Sequence, residues 1–176
     1  MELWDAFTKR CSAREYGNCK VSKEDIDSLL VAGSLAPVGM GLYENIHFTV
    51  VTNEPVLELI DKAAAKKMGK EDSHPIYGAP ALIIVSSSPG KFVIPGIKEL
   101  NCGCILENMM LAATEAGLGS VFLLAATEAM CEDAAIMEKL NIPEGFTPVG
   151  TLGVGYTSME IKEKEKVIRV AVNTVP

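Results

Sequence analysis

The stretch NCGCILENMMLAATEAG, residues 101–117, restricts what this chain can fold into more than any other. Read as a helix of about 3.6 residues per turn, it is nearly encircled by Ile105, Leu106, Met109, Met110, Leu111, Ala112, Ala113 and Ala116. Glu107, Asn108 and Glu115 are left as its polar side. A helix so apolar must be central to a domain or covered by another subunit. Asn101 suits its N-cap, and Gly117 suits a left-handed closing position.

Helices and strands alternate around this segment. Leu3, Ala6, Phe7 and Arg10/Cys11 predict a short amphipathic helix over 2–10. Ser22 is placed to cap a second helix, with Asp25 three residues on. Ile26, Leu29, Leu30 and Gly33 make its inward face, and Pro37 stops it. NIHFTVVTN (45–53) is rich in strand formers, whereas 54–68 predicts a helix with Val56, Leu57 and Ile60 inward and a basic last turn. APALIIVSSS (79–88) is a continuous apolar run, as expected of a strand covered on both faces. SVFLLAA (120–126) predicts a strand, 127–141 a helix, and GFTPVGTLGVGY (145–156) a glycine-laced strand. After a charged connector, 167–172 predicts a terminal strand, expected to pair with another subunit. The alternation argues for one three-layer α/β or α+β domain over 1–176.

Charge and composition exclude several functions. With 16 Lys+Arg against 23 Asp+Glu the net charge is −7, which argues against general nucleic-acid binding. No apolar run reaches the roughly 18 residues of a membrane span, and Asp5, Lys9 and Arg10 interrupt any signal-peptide core. Five cysteines with no pairing pattern fit reduced thiols, so a cytoplasmic protein is expected. Cys102 and Cys104 lack the spacing of a zinc or dithiol motif, and they read as structural residues at a helix start, where a redox role stays open. His47, inside a strand, reads as structural. No catalytic triad, metal set or dinucleotide fingerprint is present, and no catalytic side chain is assigned.

One local feature runs against the acidic composition. KRCSAREYG (9–17) sets Lys9, Arg10 and Arg14 around Cys11 and Ser12 where the first helix should end. Guanidinium forks and a hydroxyl suit a phosphate. The C-terminal end of a helix repels anions, however, so side chains must supply the attraction. The alternative is that the arginines only neutralise the last carbonyls of the helix.

These segments resemble the FMN-dependent nitroreductase family. RCSAREY is similar to the family's opening Arg-x-Ser-x-Arg/Lys segment, and LLVAGSLAPVGMG to its helix ending in Ala-Pro. APALIIV, NCGCILENMMLAATEAGLGSVFL and LNIPEGFTPVGTLGVGY resemble three further segments in the same order. The resemblance implies an α+β fold, a mixed and mainly antiparallel sheet flanked by helices. It also implies a homodimer with C-terminal strand exchange and FMN at the subunit interface. Arg10, Cys11, Ser12 and Arg14 would then contact the flavin's phosphate, ribityl chain and pyrimidine edge. Pro37, Val38 and Gly39 would line the ring, and the backbone of Phe122, Leu123 and Leu124 would lie near its reactive nitrogen. Lys164 and Lys166 would help hold the phosphate.

The implied activity is hydride transfer from NAD(P)H through FMN to a nitro compound, quinone or enone. Arg14 would supply positive charge at the pyrimidine edge. Three departures from the family pattern stand out. GMGLYENIHF replaces the family's Asn-x-Gln-Pro-Trp segment, so Tyr43, Asn45 or backbone must stand in for a ring-contacting amide. Cys11 occupies a position where serine or histidine is usual. The link between helix 54–68 and the strand that follows is short, which implies a more open pocket. A non-catalytic or sensory flavin-binding protein is the alternative, and a thiol-based redox or metal protein a third.

Overall fold

The computed structural model of the chain describes residues 1–90 and 94–176. The helices are α1 (Leu3–Lys9), α2 (Lys23–Ser34), α3 (Glu54–Lys67), α4 (Ile97–Glu115), α5 (Leu124–Glu132) and α6 (Ala134–Leu140). The strands are β1 (Ile46–Val51), β2 (Ala81–Ser87), β3 (Gly119–Phe122) and β4 (Thr147–Gly155). They form one sheet in the order β1-β2-β4-β3, with every neighbouring pair antiparallel. The parallel component of the expected mixed sheet is confined to an isolated bridge between Ser12 and Ser120.

β2 is buried along its whole length, as its unbroken apolar sequence requires. Its side chains alternate between two cores. Ala81, Ile83 and Val85 meet Ile26 and Leu29 of α2 and Ile105 and Met109 of α4. Leu82 and Ile84 meet Leu57 and Ile60 of α3, with Met130 and Ile136 from α5 and α6. The result is three layers, and each large side chain sealed in this way contributes roughly 1.5–3 kcal/mol. Ser22 caps α2 by accepting from the Asp25 amide (3.0 Å). α4 closes in a Schellman motif, with Gly117 at φ 75 and the Leu118 amide on the Ala113 carbonyl (2.8 Å).

Three expectations require correction. α4 begins at Ile97 after Gly96, not at Asn101, because Lys98, Glu99 and Leu100 continue the helix readily. Asn101 is therefore inside the helix, and Cys102 and Cys104 are not at its start. The strand expected over 120–126 ends at Phe122, since Leu124, Ala125 and Ala126 enter α5; a short apolar run does not distinguish strand from helix. The helix expected over 127–141 is interrupted at Asp133, whose carboxylate caps α6 through the Ala135 and Ile136 amides (2.9 and 3.2 Å). Residues 167–172 pair with no strand of their own chain among the described residues, and the partner expected for them is another subunit. α1 also departs from its expected amphipathic burial: Ala6 is buried, whereas Leu3, Trp4 and Phe7 are exposed.

Candidate functional site

The end of α1 gathers residues from both ends of the chain. Arg10 is its C-cap. The Lys164 amide donates to the Thr8 carbonyl (3.0 Å) and its ammonium to the Phe7 carbonyl (3.0 Å). Lys164, not Arg10 or Arg14, thus satisfies the last helix carbonyls. Its pKa lies below the ordinary lysine value, first through loss of water and next through the charge of Arg10; Arg169 acts in the same direction and Glu107 opposes it. Arg10 Nε lies 3.5 Å from Glu107 Oε1, and Lys9 pairs separately with Glu163 (3.5 Å). Arg10 and Lys164 therefore share the Glu107 carboxylate, Arg169 adds a third positive charge near Lys164, and the surplus favours an anion.

Ser12 and Cys11 extend this cluster. Ser12 bridges to Ser120, and the Ala13 amide donates to the Ser120 carbonyl (3.0 Å), which fixes the segment against β3. The Ser120 hydroxyl oxygen is buried and has no hydrogen-bond partner among the described residues. Cys11 is half-buried and lies near Lys164. Arg14 is exposed, with Nη1 3.5 Å from the Ser12 carbonyl. Lys166 is drawn elsewhere: its ammonium sits 5.8 Å from the centroid of the Trp4 ring, a cation–π arrangement.

A second group surrounds the first turns of α4. The Gly39 amide donates to Asn101 Oδ1 (2.9 Å). A Cβ on Gly39 would lie 2.6 Å from Ile97 Cδ1, so a side chain there would have to displace Ile97 for the loop to keep its approach to the helix. Met40 follows at φ 59, a strained value for a side-chain-bearing residue. Tyr43 donates to the Ala36 carbonyl (3.1 Å), and Asn45 Oδ1 accepts from Ser88 (3.2 Å). The Tyr43 hydroxyl is thus engaged within the chain, whereas Asn45 is engaged only through Oδ1.

Phe122 is exposed at the end of β3. Gly150 makes room beside it, since a Cβ there would lie 2.5 Å from Cys102 Sγ and 2.9 Å from Phe122 Cε2. Leu123 is buried, and its amide donates to the Thr151 carbonyl (2.8 Å). Leu124 is exposed and opens α5, a helix whose start has no side-chain cap.

α4 joins the two groups. Asn101 and Glu107 are six positions apart, about 9 Å at about 1.5 Å per residue. The structure brings Arg10, Cys11, Ser12 and Lys164 together, with Arg14 at their edge. It sets Gly39, which follows Pro37 and Val38, beside Asn101, and Phe122 beside the adjacent Cys102. Burial pushes the Cys102 thiol up to about 12, which fits a structural residue, while Cys104 is exposed. Asn101, Glu107 and Arg169 were not anticipated as site residues. Glu107 carried a weak signal, a carboxylate on the narrow polar side of an apolar helix, whereas nothing local marked Asn101 or Arg169.

The architecture is that of solved nitroreductases. The Bacteroides fragilis nitroreductase crystallised with bound FMN is 30% identical and superposes with a TM-score of 0.82 over 99% of this chain and 98% of that one. A nitroreductase from Desulfitobacterium hafniense shares the fold at 21% identity, with a TM-score of 0.84 over the full length of both chains. A Methanothermobacter thermautotrophicus protein, provisionally named an NADH dehydrogenase/NAD(P)H nitroreductase, is 32% identical over 162 residues, 89% of this chain and 78% of that protein. The chain belongs to the nitroreductase family, whose model matches residues 7–156.

Proposed function

We propose that this protein binds FMN and uses NAD(P)H to reduce a small organic acceptor, a nitro compound, a quinone or an enone. The observation that carries this reading is the meeting of Arg10 and Lys164 at the end of α1 with a single carboxylate between them. Such a cluster suits the flavin phosphate, and Ser12 adds a neutral donor. Its fit to a phosphate rests on charge: burial and Arg10 hold Lys164 below its ordinary pKa, a situation that a bound dianion relieves.

Bound FMN supplies the redox chemistry, storing a hydride from NAD(P)H and delivering it to the acceptor. The protein's part is orientation, exclusion of water and local charge. Arg14 contributes positive charge at the pyrimidine edge, and the loop 37–39, held by Asn101, lines the ring. The uncapped start of α5 at Leu124 offers backbone amides near Phe122. Lys166 reaches the phosphate only by leaving Trp4. Exposed Leu3, Trp4 and Phe7, together with Val167, Ile168, Val170 and Val172, form apolar surface suited to a second copy of the chain. In such a homodimer, 167–172 gains the ladder partner it lacks within the chain.

A second reading, a flavin-binding protein without turnover, is favoured by the engagement of the Tyr43 hydroxyl with the Ala36 carbonyl. Visible absorbance of the purified protein under anaerobic conditions separates the two. Bleaching of a flavin spectrum on adding NADH or NADPH supports the enzyme and identifies its donor. A spectrum that persists supports the second reading. A colourless protein that also fails to take up added FMN overturns both.

A further inference from the structure

Beside the loop 37–42 lies a notch of about 30 Å³, bounded by the first turns of α4 and the end of β2. We propose that this notch recognises a carboxylate carried by the electron acceptor, through Lys98 and Asn101. The proposal rests on the FMN reading above, because that reading sets the neighbouring loop against the flavin ring.

The lining is chemically selective. Among the described residues, half-buried Lys98 is the one charged residue that lines the notch, and no carboxylate lines it. Glu99, in the same helical turn, is exposed and outside it. Asn101 is 9% exposed, and its Oδ1 is committed to the Gly39 amide. That bond orients the side chain and leaves its NH₂ with no partner among the described residues. Ser88 does not compete, since its hydroxyl donates to Asn45.

The Lys98 ammonium and the Asn101 NH₂ are a cationic and a neutral donor that match the two oxygens of a carboxylate, and the Asn45 NH₂ is a further neutral donor in the lining. The notch is small, so only the head group would enter it while the rest of the acceptor lies outside. α4 begins at Gly96 without a side-chain cap, so the positive end of its dipole adds to the attraction. Met40, strained and exposed on the rim, provides apolar surface for the acceptor's body.

The test is a titration of ¹⁵N-labelled protein with sodium benzoate, with benzamide as the neutral control. Benzoate is expected to shift the Asn101 side-chain amide and the Gly39 backbone amide saturably, and benzamide is not. Lys98→Met should weaken benzoate binding about tenfold, equivalent to about 1.4 kcal/mol, and Lys98→Arg should retain most of it. Absence of shifts, equal shifts with benzamide, or unchanged binding in Lys98→Met overturns the site. In FMN-loaded protein, KM for 4-nitrobenzoate should be about tenfold below that for 4-nitrobenzamide, and Lys98→Met should abolish the difference with kcat retained. A protein that shows the benzoate shifts but takes up no FMN leaves the notch as a carboxylate site, fails the flavin reading and overturns the link to an acceptor.

Discussion

Arg10 and Glu107 are joined across the α1–α4 contact, with the guanidinium Nε 3.5 Å from a carboxylate oxygen. Engaging Nε leaves both terminal nitrogens of the fork available to another anion. Glu107 holds Arg10 at the end of α1 and at the same time places a negative charge beside the proposed phosphate position.

Arg10→Ala is expected to weaken FMN binding about 10- to 100-fold, the loss of one charge-assisted contact, and Arg14→Ala to weaken it less. Riboflavin, which has no phosphate, should bind the wild type and the Arg10 variant almost equally. Flavin content after purification and fluorescence titration report both quantities. Unchanged flavin content in both variants would remove the phosphate cradle.

Glu107→Gln should favour FMN over riboflavin by a few-fold, since it removes a carboxylate that competes for Arg10. Its effect on stability should stay within about 1 kcal/mol, because the pair is partly exposed. Urea unfolding checks the second quantity and the ratio of the two flavin affinities the first.

Lys164 gives FMN affinity a pH dependence of definite sign. Its pKa is lowered, so its charge is lost on raising pH before that of an ordinary lysine. FMN affinity should rise through about pH 6 as the phosphate takes its second charge. It should then fall on the alkaline side, with proton uptake accompanying binding there. Lys164→Met should remove the alkaline fall, and riboflavin binding should lack both limbs. Isothermal titration in two buffers of different ionisation enthalpy measures the proton uptake.

Gly150→Ala is expected to cost about 1–3 kcal/mol by overpacking. Its Cβ would press on Cys102, Leu106 and Phe122. Chemical denaturation measures the loss, and the accompanying displacement of Phe122 should lower flavin content as well.

The thiols should separate cleanly toward an alkylating agent. Cys19 and Cys104 are exposed and should react first, whereas Cys102 is buried, with its thiol pushed up to about 12, and should react only on unfolding. Peptide mass spectrometry after timed iodoacetamide treatment gives the order.

What local sequence can encode was legible in advance. The caps at Ser22 and Gly117 involve partners only a few residues away, and both were correctly placed. The unbroken apolar run of β2 predicted a strand covered on both faces, and the encircled α4 predicted a central helix. Errors fell where a tertiary bond outweighed a local preference. Asn101 has the propensity of a cap, but its side chain bonds Gly39, 62 positions away, from inside the helix. The segment after Phe122 could continue as strand or turn into helix, and packing of α5 against the sheet and α3 selected helix.

The sequence by itself determined the positions of most elements, because periodicity, caps and turn residues act within a few positions along the chain, and its ordered motifs carried the resemblance that implied the family and the α+β class. Only the tertiary structure decided the strand order β1-β2-β4-β3 and which of two neighbouring lysines joins Arg10. Lys164 meets the end of α1 while Lys166 turns to Trp4. Both outcomes follow from the path by which the C-terminal segment returns across α1, a long-range arrangement that no local pattern encodes.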